Sequence, residues 1–449
     1  MQSDQRSTAP SASDWPRVRL GSVATKIRSG ATPRGGAENY LPKRHRCVLI
    51  RSQNVLDHHF TEVGLANISD DQAAELAGAE VQSEDVLLNI TGDGVTFGRS
   101  CIVPDRTLPA CVNQHVMLIR LDQKKCLPGY LLAWLTQADT KAYIESFNAG
   151  GSRRAITKGH IESFTLPLPP MSRQKSIARL TALFNNRIEM LEATNHRIEG
   201  IARALFQSWF VDFDPVRAKA CGGIPESMSA EIASLFPDEL TTVDAGSIPI
   251  GWTRSRFDAV CANVREQANP INLPAETPYV GLEHMPRRSL SLFDRGTTEA
   301  LESNKFWFKA GDVLFGKLRP YFHKVALAPC KGVCSTDILV LRPLGNASHA
   351  FATMHASSDE MIEYATRLSN GARMPRASWS DLAAYPIVMP PAPLLQAFNA
   401  IVAPMFARIT GNIALARNLS SLRDSLLQRM VAGQLASNIE ELDQVEEIA

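Results

Sequence analysis

The feature that most constrains the fold is an internal repeat. Two stretches, FTLPLPPMSRQ (Phe164–Gln174) and YPIVMPPAPLLQ (Tyr385–Gln396), each combine an aromatic residue, strand-forming residues, Pro-Pro and a Gln, and each opens a long helical pattern. Pro169 and Pro390 are 221 residues apart. Such self-similarity predicts a duplicated module.

The likeness between the two copies extends upstream of each Pro-Pro pair. The paired segments are DWPRVRLGSVATKI with GWTRSRFDAVCANV, SEDVLLNITGDG with AGDVLFGKLRPY, ACVNQHVMLIRL with VCSTDILVLRPL, and GSRRAITKGHIESF with GARMPRASWSDLAAY. The short apolar runs DVLLNI, DVLF, VMLIRL and ILVLRPL predict buried strands, and the stretches Gly129–Phe147 and Met354–Ser369 are predicted to be helical. Each copy is therefore predicted to be a mixed α/β (α+β) domain of about 120 to 150 residues, a usual domain size.

A long helix is predicted after each Pro-Pro pair. Apolar residues recur in steps of three and four from Ile177 to Trp209 and again from Phe398 to Met430. The apolar stripe is narrow, as in a coiled coil, and a helix from Ser172 to Phe210 would span about 58 Å. Pro404 is expected to kink the second helix or delay its start.

Neither helix can bury its apolar stripe alone. We predict that the two pair as an antiparallel coiled coil that separates the duplicated domains, which gives the chain a pseudo-twofold internal repeat. The alternative is two ordinary helices, each packed on its own domain.

Composition excludes several classes of protein. The chain has 449 residues, of which 45% are hydrophobic and 21% charged, so we expect two or more globular domains. No apolar run approaches the roughly 20 residues of a membrane span, and the first residues lack the apolar centre of a signal peptide. The eight cysteines form no disulfide or zinc framework. These features predict a cytoplasmic protein without a structural metal.

Positive charge is concentrated in predicted loops, although the formal net charge is only +1. The clusters are Lys43, Arg44 and Arg46; Arg153, Arg154 and Lys158; Arg287 and Arg288; Lys317, Arg319 and Lys324; and Arg373 and Arg376. Local patches of this kind can bind nucleic acid. The alternative for each cluster is an ordinary solvated surface.

Catalytic motifs are missing from the sequence. GDVLFGKL has the spacing of a phosphate-binding P-loop, but Leu318 follows where Mg²⁺ coordination needs Ser or Thr. The glycine-rich TGDGVTFG departs from the dinucleotide fingerprint, and DFDP lacks the residue order of an amino-methyltransferase motif. Two similar modules with basic loops and no active site indicate a bivalent DNA reader, and because the modules differ in sequence, the two half-sites should differ too.

Six stretches resemble the specificity (S) subunits of type I restriction-modification systems. They are ALFQSWFVDFDPVRAKA, LFPDEL, GSIPIGW, GDVLFGKLRPY, GVCSTDILVLRP and RMPRASW, and the resemblance runs from about Trp15 to Leu435. Members of that family carry Glu-Gln shortly after Pro-Pro. Here Gln174 and Gln396 are present, but Arg173 and Leu395 occupy the Glu positions.

The resemblance implies two target recognition domains, each of which reads one half of a bipartite, asymmetric site in double-stranded DNA. It implies that the paired helices set the gap between the half-sites and dock two modification (M) methyltransferase subunits, which bind S-adenosylmethionine. Restriction (R) subunits would add cleavage that depends on ATP and Mg. This chain would itself bind no cofactor or metal and catalyse no reaction.

The repeat, the helical patterns and the local composition predict the domain boundaries, with the two modules named as the resemblance implies. They are a disordered tail (1–13), a first target recognition domain (14–165), a central spacer helix (166–212), a connector (213–250), a second target recognition domain (251–385), a distal spacer helix (386–437) and an acidic tail (438–449).

Polar and basic loop residues are the candidates for DNA contact, because cations bind phosphates and Arg, Gln and Asn can bond base edges. In the first domain they are Arg51, Gln53, Asn54, Arg153, Arg154 and Lys158, and in the second they are Glu283, His284, Lys317, Arg319, Arg373 and Arg376. For M-subunit contact we expect exposed faces of the helices with Trp209, Phe210 and Phe213. The alternative for all of these residues is a structural role.

Two other functions stay open at this point. The chain could be a self-sufficient DNA methyltransferase or nuclease, although no motif for either is found. It could also be a coiled-coil scaffold with no role on DNA.

Overall fold

The computed structural model describes residues 15–92, 96–147, 154–225, 228–243, 246–299, 301, 303–369 and 374–435. These residues divide into two units. Unit 1 comprises the described residues up to Arg187 together with those from Leu419 onward, and unit 2 comprises Ile188–Asn418. The predicted tails, 1–13 and 438–449, lie outside the described residues.

Unit 1 contains short strands and helices followed by the start of a long helix. Its described strands are β1 (Arg17–Arg19), β2 (Ala24–Ser29), β3 (Cys47–Ile50), β4 (Ala66–Ile68), β5 (Glu80–Val81), β6 (Val86–Asn89), β7 (Thr91–Gly92), β8 (Ser100–Ile102), β9 (Ala110–Val112), β10 (Val116–Leu121), β11 (Arg154–Ala155) and β12 (Thr165–Pro167). The helices are α1 (Leu20–Val23), α2 (Asp70–Glu75), α3 (Pro128–Leu135), α4 (Ala138–Ser146), α5 (Lys158–Ser163) and α6 (Met171–Phe206), the last of which continues into unit 2.

Unit 2 has a similar succession of elements. Its described strands are β13 (Leu240–Val243), β14 (Gly246–Pro249), β15 (Thr253–Arg256), β16 (Cys261–Val264), β17 (Gln267–Ala268), β18 (Tyr279–Val280), β19 (Lys305–Phe308), β20 (Val313–Gly316), β21 (Val325–Leu327), β22 (Gly332–Cys334), β23 (Ile338–Pro343) and β24 (Pro386–Met389). The helices are α7 (Asp214–Ala220), α8 (Ala230–Ser234), α9 (His349–Ala356), α10 (Asp359–Leu368), α11 (Trp379–Ala383) and α12 (Ala392–Val431), the last of which continues into unit 1.

The four-stranded antiparallel sheets of the two units have corresponding strand orders. The order is β2-β10-β6-β8 in unit 1 and β16-β23-β20-β21 in unit 2. Each unit also has a second four-stranded sheet, with the order β4-β3-β9-β5 or β17-β19-β22-β18. A two-stranded pair, β1-β12 in unit 1 and β15-β24 in unit 2, joins an early strand of each unit to the strand before the long helix.

The central strand of each unit is buried on both faces because its side chains alternate between two cores. In β6, Leu87 faces the core shared with the second sheet, whereas Val86 and Leu88 face the core formed with the helices. In β20, Leu314 faces the core shared with the second sheet, whereas Phe315 faces the core formed with the helices. Burial on both faces explains why these strands are continuous apolar runs in the sequence.

The four strands predicted from apolar runs are confirmed, but each predicted helical stretch is two helices. Gly129–Phe147 divides into α3 and α4, and Met354–Ser369 contains the end of α9 followed by α10. The second break has a local cause, since the hydroxyl of Ser358 accepts a hydrogen bond of 3.1 Å from the backbone N–H of Met361 and caps a new helix.

A buried Asp–Arg pair closes the turn before each central strand. The Arg120 guanidinium donates two bonds of 2.8 and 2.7 Å to the Asp85 carboxylate, and Arg342 donates two bonds of 2.7 Å to Asp312. Each Asp also accepts a backbone N–H from three residues earlier. The hydrogen bonds that Arg120 donates to Asp85 raise the pKa of Arg120 above its ordinary value. Both carboxylates are thus fully compensated in spite of their burial.

The long helices contact each other in an antiparallel sense within each unit. In unit 2, the side-chain amide of Asn195 on α6 donates 3.1 Å to the Ile409 carbonyl on α12, and Asn412 donates 2.8 Å to the Asn195 Oδ1. In unit 1, Arg423 on α12 donates 2.8 Å to the Asn185 Oδ1 on α6. Position therefore rises along one helix as it falls along the other.

Of the two effects expected of Pro404, a kink or a delayed start, the delayed start is wrong. Helix α12 begins at Ala392 and contains Pro404 within its length. Among the described helices, α12 alone has the length and apolar content of a membrane span, a property that core helices of folded proteins share. Its Leu394, Phe398 and Val402 are buried in the core of unit 2.

The two asparagines provide a test of the helix contact in unit 2. Both are buried, so Asn195→Ala leaves the Asn412 amide without its acceptor and should lower the free energy of unfolding by about 1–3 kcal/mol. Asn195→Ala combined with Asn412→Ala should cost less than the sum of the two single changes, because the partners interact directly. Denaturant unfolding measures both effects, with Arg197→Ala, at an exposed position of α6, as control. Strict additivity would contradict the contact.

A buried histidine makes unit 2 sensitive to acid. His355 lies among the rings of Phe206, Phe351 and Tyr385, and burial lowers its pKa from 6.5 to about 3. The unfolded chain therefore takes up a proton at this residue before the folded chain does. Stability should fall as the pH drops from about 6.5 towards 3, by up to about 1.4 kcal/mol per pH unit from this residue.

His355→Phe keeps a ring in the aromatic site and should flatten the dependence of the unfolding temperature on pH between 7 and 4, as scanning calorimetry would record. His196→Gln is the matched control, because His196 is exposed on α6. An equal slope in His355→Phe and the unmodified protein would refute the assignment.

Candidate functional site

The candidate site lies at the end of the central strand of each unit, where three separate segments meet. In unit 2, the Lys317 N–H donates 3.0 Å to the Asp337 carbonyl, and the Lys317 carbonyl accepts 2.9 Å from the Ala377 N–H. Leu318 and Arg376 form an isolated antiparallel bridge. The loop after β20, the loop before β23 and the segment before α11 are thereby joined.

Unit 1 contains the corresponding bonds. The Ile90 N–H donates 3.0 Å to the His115 carbonyl, and the Ile90 carbonyl accepts 3.0 Å from the Ile156 N–H. The next residue, Thr91, pairs with Ala155 where β7 meets β11. Ile90 thus corresponds to Lys317, His115 to Asp337 and Ile156 to Ala377.

Three charged side chains meet at this junction in unit 2. The Asp337 Oδ1 lies 3.8 Å from the Arg376 Nε and 4.0 Å from the Lys317 Nζ. The Arg376 side chain is 56% exposed and that of Lys317 is 26% exposed. These long, solvated pairs hold the cations weakly, so both remain available to an anionic partner. We call Lys317, Arg319, Asp337 and Arg376 the unit 2 cluster.

Arg319 joins this cluster through the backbone. It adopts a left-handed conformation, with φ 51° and ψ 65°, and its N–H donates 2.8 Å to the Pro375 carbonyl. Its guanidinium lies 5.9 Å from the centre of the Phe322 ring, and the guanidinium of Arg287 lies 4.3 Å from the same centre. The loop after β20 therefore combines aromatic and cationic groups.

Two residues near the unit 2 cluster orient their own loop. The Gly281 N–H donates 2.9 Å to the Nδ1 of His284, which ties that ring to the loop. Glu283 is exposed. The Lys324 ammonium donates to the Leu282 carbonyl, and burial together with the nearby Arg287 lowers the pKa of Lys324 below its usual value. The Glu283–His284 loop is thus fastened to the loop after β20.

The segment that carries Arg287 is anchored to the long helix α6. The buried carboxylate of Glu199 accepts bonds of 3.0 Å from the Ser289 hydroxyl, 3.0 Å from the Leu290 N–H and 2.5 Å from the Ser291 hydroxyl. Three bonds to one carboxylate hold this loop in a single place on the helix.

In unit 1, side chains of the Arg51–Asn54 loop form hydrogen bonds to nearby backbone carbonyls. Asn54 is fully buried and its amide donates 3.0 Å to the Thr61 carbonyl and 3.2 Å to the Val63 carbonyl. Arg51 donates to the Gly64 carbonyl, and Gln53 donates to the same oxygen at 3.3 Å. The expectation that Asn54 is a base-reading loop tip is therefore wrong, because its amide satisfies buried backbone groups. Gln53 remains exposed.

Arg154 lies at the strand junction of unit 1, and Lys158 follows it in the next helix. Arg154 is in β11 and its Nε lies 2.6 Å from the Glu145 Oε1. Lys158 begins α5 and lies 3.4 Å from Glu162 across one helical turn. Both are partly or fully exposed. Arg153 and Arg373 lie outside the described residues.

The aromatic residues expected at an exposed partner surface are buried. Trp209, Phe210 and Phe213 are 2%, 4% and 7% exposed, in the core of unit 2. Trp209 packs edge-on against Phe236 at 5.2 Å, and Phe213 packs against Trp252 at 5.5 Å. The segment after α6 thus folds back over these rings, which takes them out of reach of a partner.

The sequence prediction missed several side chains at the two junctions. In unit 1, the Thr91 hydroxyl lies 2.6 Å from the His115 Nδ1, and Gln114 lies beside the same ring. In unit 2, Asp337 and the half-exposed Tyr321 were not chosen. The paired segments ACVNQHVMLIRL and VCSTDILVLRPL were the available signal, since the loops within them occupy the same place in both units.

The chemistry of the junctions is that of binding. Among the described residues, no group of three or more His, Cys, Asp or Glu side chains could hold a metal ion. The eight cysteines, all within described segments, are free thiols. The unit 2 cluster offers hydrogen-bond donors and positive charge, which suit phosphates and base edges.

Comparisons with known proteins agree on one family. A family model described as "Type I restriction modification DNA specificity domain" matches residues 12–200. The HindI specificity subunit of Haemophilus influenzae is 23% identical over 94% of this chain and 100% of its own length. The EcoDI specificity subunit of Escherichia coli is 25% identical over 68% of this chain and 70% of its own length.

A solved structure is similar in fold. The S subunit of the type I restriction-modification system of M. genitalium has a TM-score of 0.51 and 10% identity, over 97% of this chain and 99% of that chain.

Proposed function

We propose that each unit of this chain, which belongs to the specificity subunits of type I restriction-modification systems, contains a target recognition domain for one half of a bipartite, asymmetric DNA site. Specificity subunits are the non-catalytic components of those systems. The observation that supports the proposal is the shared junction, since the same backbone bonds bring three segments together in both units.

Within unit 2, we assign phosphate contacts to Lys317 and Arg376. Both are cationic and lie at the junction, and each forms one long ion pair with Asp337. Arg319, with its strained backbone, is the candidate for a base edge. Unit 1 presents Thr91, His115 and Arg154 at its own junction. Because the two sets of side chains differ, the two half-sites differ.

The long helices are proposed to set the number of base pairs between the half-sites and to bind two M subunits. Exposed apolar side chains on these helices in unit 2, namely Met190, Ile201 and Leu415, supply a surface for an M subunit. They replace the buried aromatic rings that the sequence suggested. In the full complex the M subunits would supply S-adenosylmethionine, and R subunits would supply ATP- and Mg-dependent cleavage in the cytoplasm.

The proposed domain boundaries follow those expected from the sequence. Target recognition domains span 14–165 and 251–385, spacer helices span 166–212 and 386–437, and the connector spans 213–250. Phe236 of the connector is buried against Trp209, which favours an ordered connector that packs within unit 2.

Co-expression with the cognate M subunit tests the function as a whole. Genomic DNA from cells that carry both genes should acquire one bipartite adenine-methylated motif with two unlike halves, which single-molecule sequencing of methylated bases would map. Cells with the M gene alone are the control. If no such motif is gained when both proteins are present, the proposed function is wrong.

Charge removal tests the assignment of phosphate contacts. Lys317→Ala and Arg376→Ala should each weaken binding of the M–S complex to its mapped duplex and reduce the slope of log K against log salt by about 0.9. Lys309→Ala is the matched control, because Lys309 is exposed and precedes β20 whereas Lys317 follows it. Fluorescence anisotropy across a salt series is the measurement, and a slope equal to that of Lys309→Ala would contradict the contact.

A further inference from the structure

The loop between β20 and β21 is a strained turn that presents one aromatic ring. Arg319 and His323, on either side of the Pro320–Phe322 turn, both have φ 51°, a left-handed conformation that residues other than glycine seldom adopt. Tyr321 is 50% exposed, whereas His323 is 4% exposed. Strain of this kind persists only where the surroundings impose it, and it is concentrated at functional sites.

Three separate segments hold this turn. The Arg319 N–H donates 2.8 Å to the Pro375 carbonyl, and the His323 carbonyl accepts 2.9 Å from the Arg288 N–H. The His323 ring lies with its Nε2 3.0 Å from the Ser357 carbonyl, which requires that the Nε2 carry a hydrogen and donate. The backbone of the turn is therefore fixed on both sides of Tyr321 before any partner arrives.

Positive charge lies on the neighbours of the exposed ring. Tyr321 packs edge-on against Phe322 at 4.8 Å, and the guanidinium groups of Arg287 and Arg319 lie over Phe322. Lys317 and Arg376 are joined to the same loop by the strand bridge. A half-exposed aromatic ring among cations is the combination that stacks on bases while the cations bind phosphates.

We propose that Tyr321 is a wedge that enters one base step of the half-site bound by unit 2, an inference that rests on the proposed function. The faces of the bases in a duplex are covered by their neighbours, so a ring can stack on them only if it opens a step. A fixed turn suits this task because the ring need not be ordered upon binding. The wedge would favour flexible steps and so contribute to sequence preference without a hydrogen bond to a base edge.

The test uses the M–S complex and a duplex that carries its mapped target. Tyr321→Ala should weaken binding about tenfold, the effect of losing one stacked base, whereas Tyr321→Phe keeps the ring and should bind within about twofold of the unmodified protein. 2-Aminopurine placed in turn at each step of the half-site should brighten at one step, and Tyr321→Ala should abolish that signal. Leu344→Ala, at a 50% exposed position of the same unit, is the matched control.

Two outcomes overturn the wedge. Equal binding and an equal 2-aminopurine signal in Tyr321→Ala would mean that the ring enters no step. An equal loss in Tyr321→Phe and Tyr321→Ala would mean that the hydroxyl, and not the ring, makes the contact. Tyr321→Gln is measured alongside as a second variant without the ring. If Tyr321→Ala lowers the unfolding temperature, the binding of Tyr321→Gln decides the result.

Failure of the wedge and failure of the proposed function are distinguishable. If Lys317→Ala and Arg376→Ala weaken binding while Tyr321→Ala does not, the cluster binds DNA and the wedge alone is wrong. If the unmodified protein directs no methylation of a bipartite motif, the function itself is wrong.

Discussion

The candidate site depends on a single residue at the end of each central strand that uses both of its backbone groups. Ile90 in unit 1 and Lys317 in unit 2 each donate an N–H to one neighbouring segment and accept an N–H from another. Buried backbone groups must be paired, so these bonds are enforced by the strand's position. They bring together segments that lie 25 and 66 residues apart in unit 1 and 20 and 60 residues apart in unit 2, and no side chain is needed to do so.

Much of the fold could be predicted from the sequence, because the strands at its centre are buried on both faces. Continuous apolar runs identified β6, β10, β20 and β23, and the recurrence of those runs indicated the repeat. The breaks within the helical stretches could not be predicted in the same way. They depend on local caps such as Ser358, which an apolar pattern does not register.

The candidate site was only partly predictable, for a physical reason. Lys317 and Arg376 were chosen because they are cationic, but their common partner Asp337 follows from strand pairing between distant segments. Which side chains are buried was harder to predict than which are cationic. Trp209 was expected at an exposed surface for an M subunit, but it packs against Phe236 of the connector and Phe398 of α12. Asn54 is not a candidate for base contact, because its side-chain amide donates a hydrogen bond to the Thr61 carbonyl within its own loop.

The strained turn in unit 2 has a consequence for how such a chain changes over generations. Its course is held by backbone bonds from Arg319 and His323 and by the buried imidazole, whereas Tyr321 projects from it without any role in the fastening. Substitution at the projecting position thus leaves the loop's path intact. Selection can therefore change the side chain at position 321 while the backbone path of the turn stays the same.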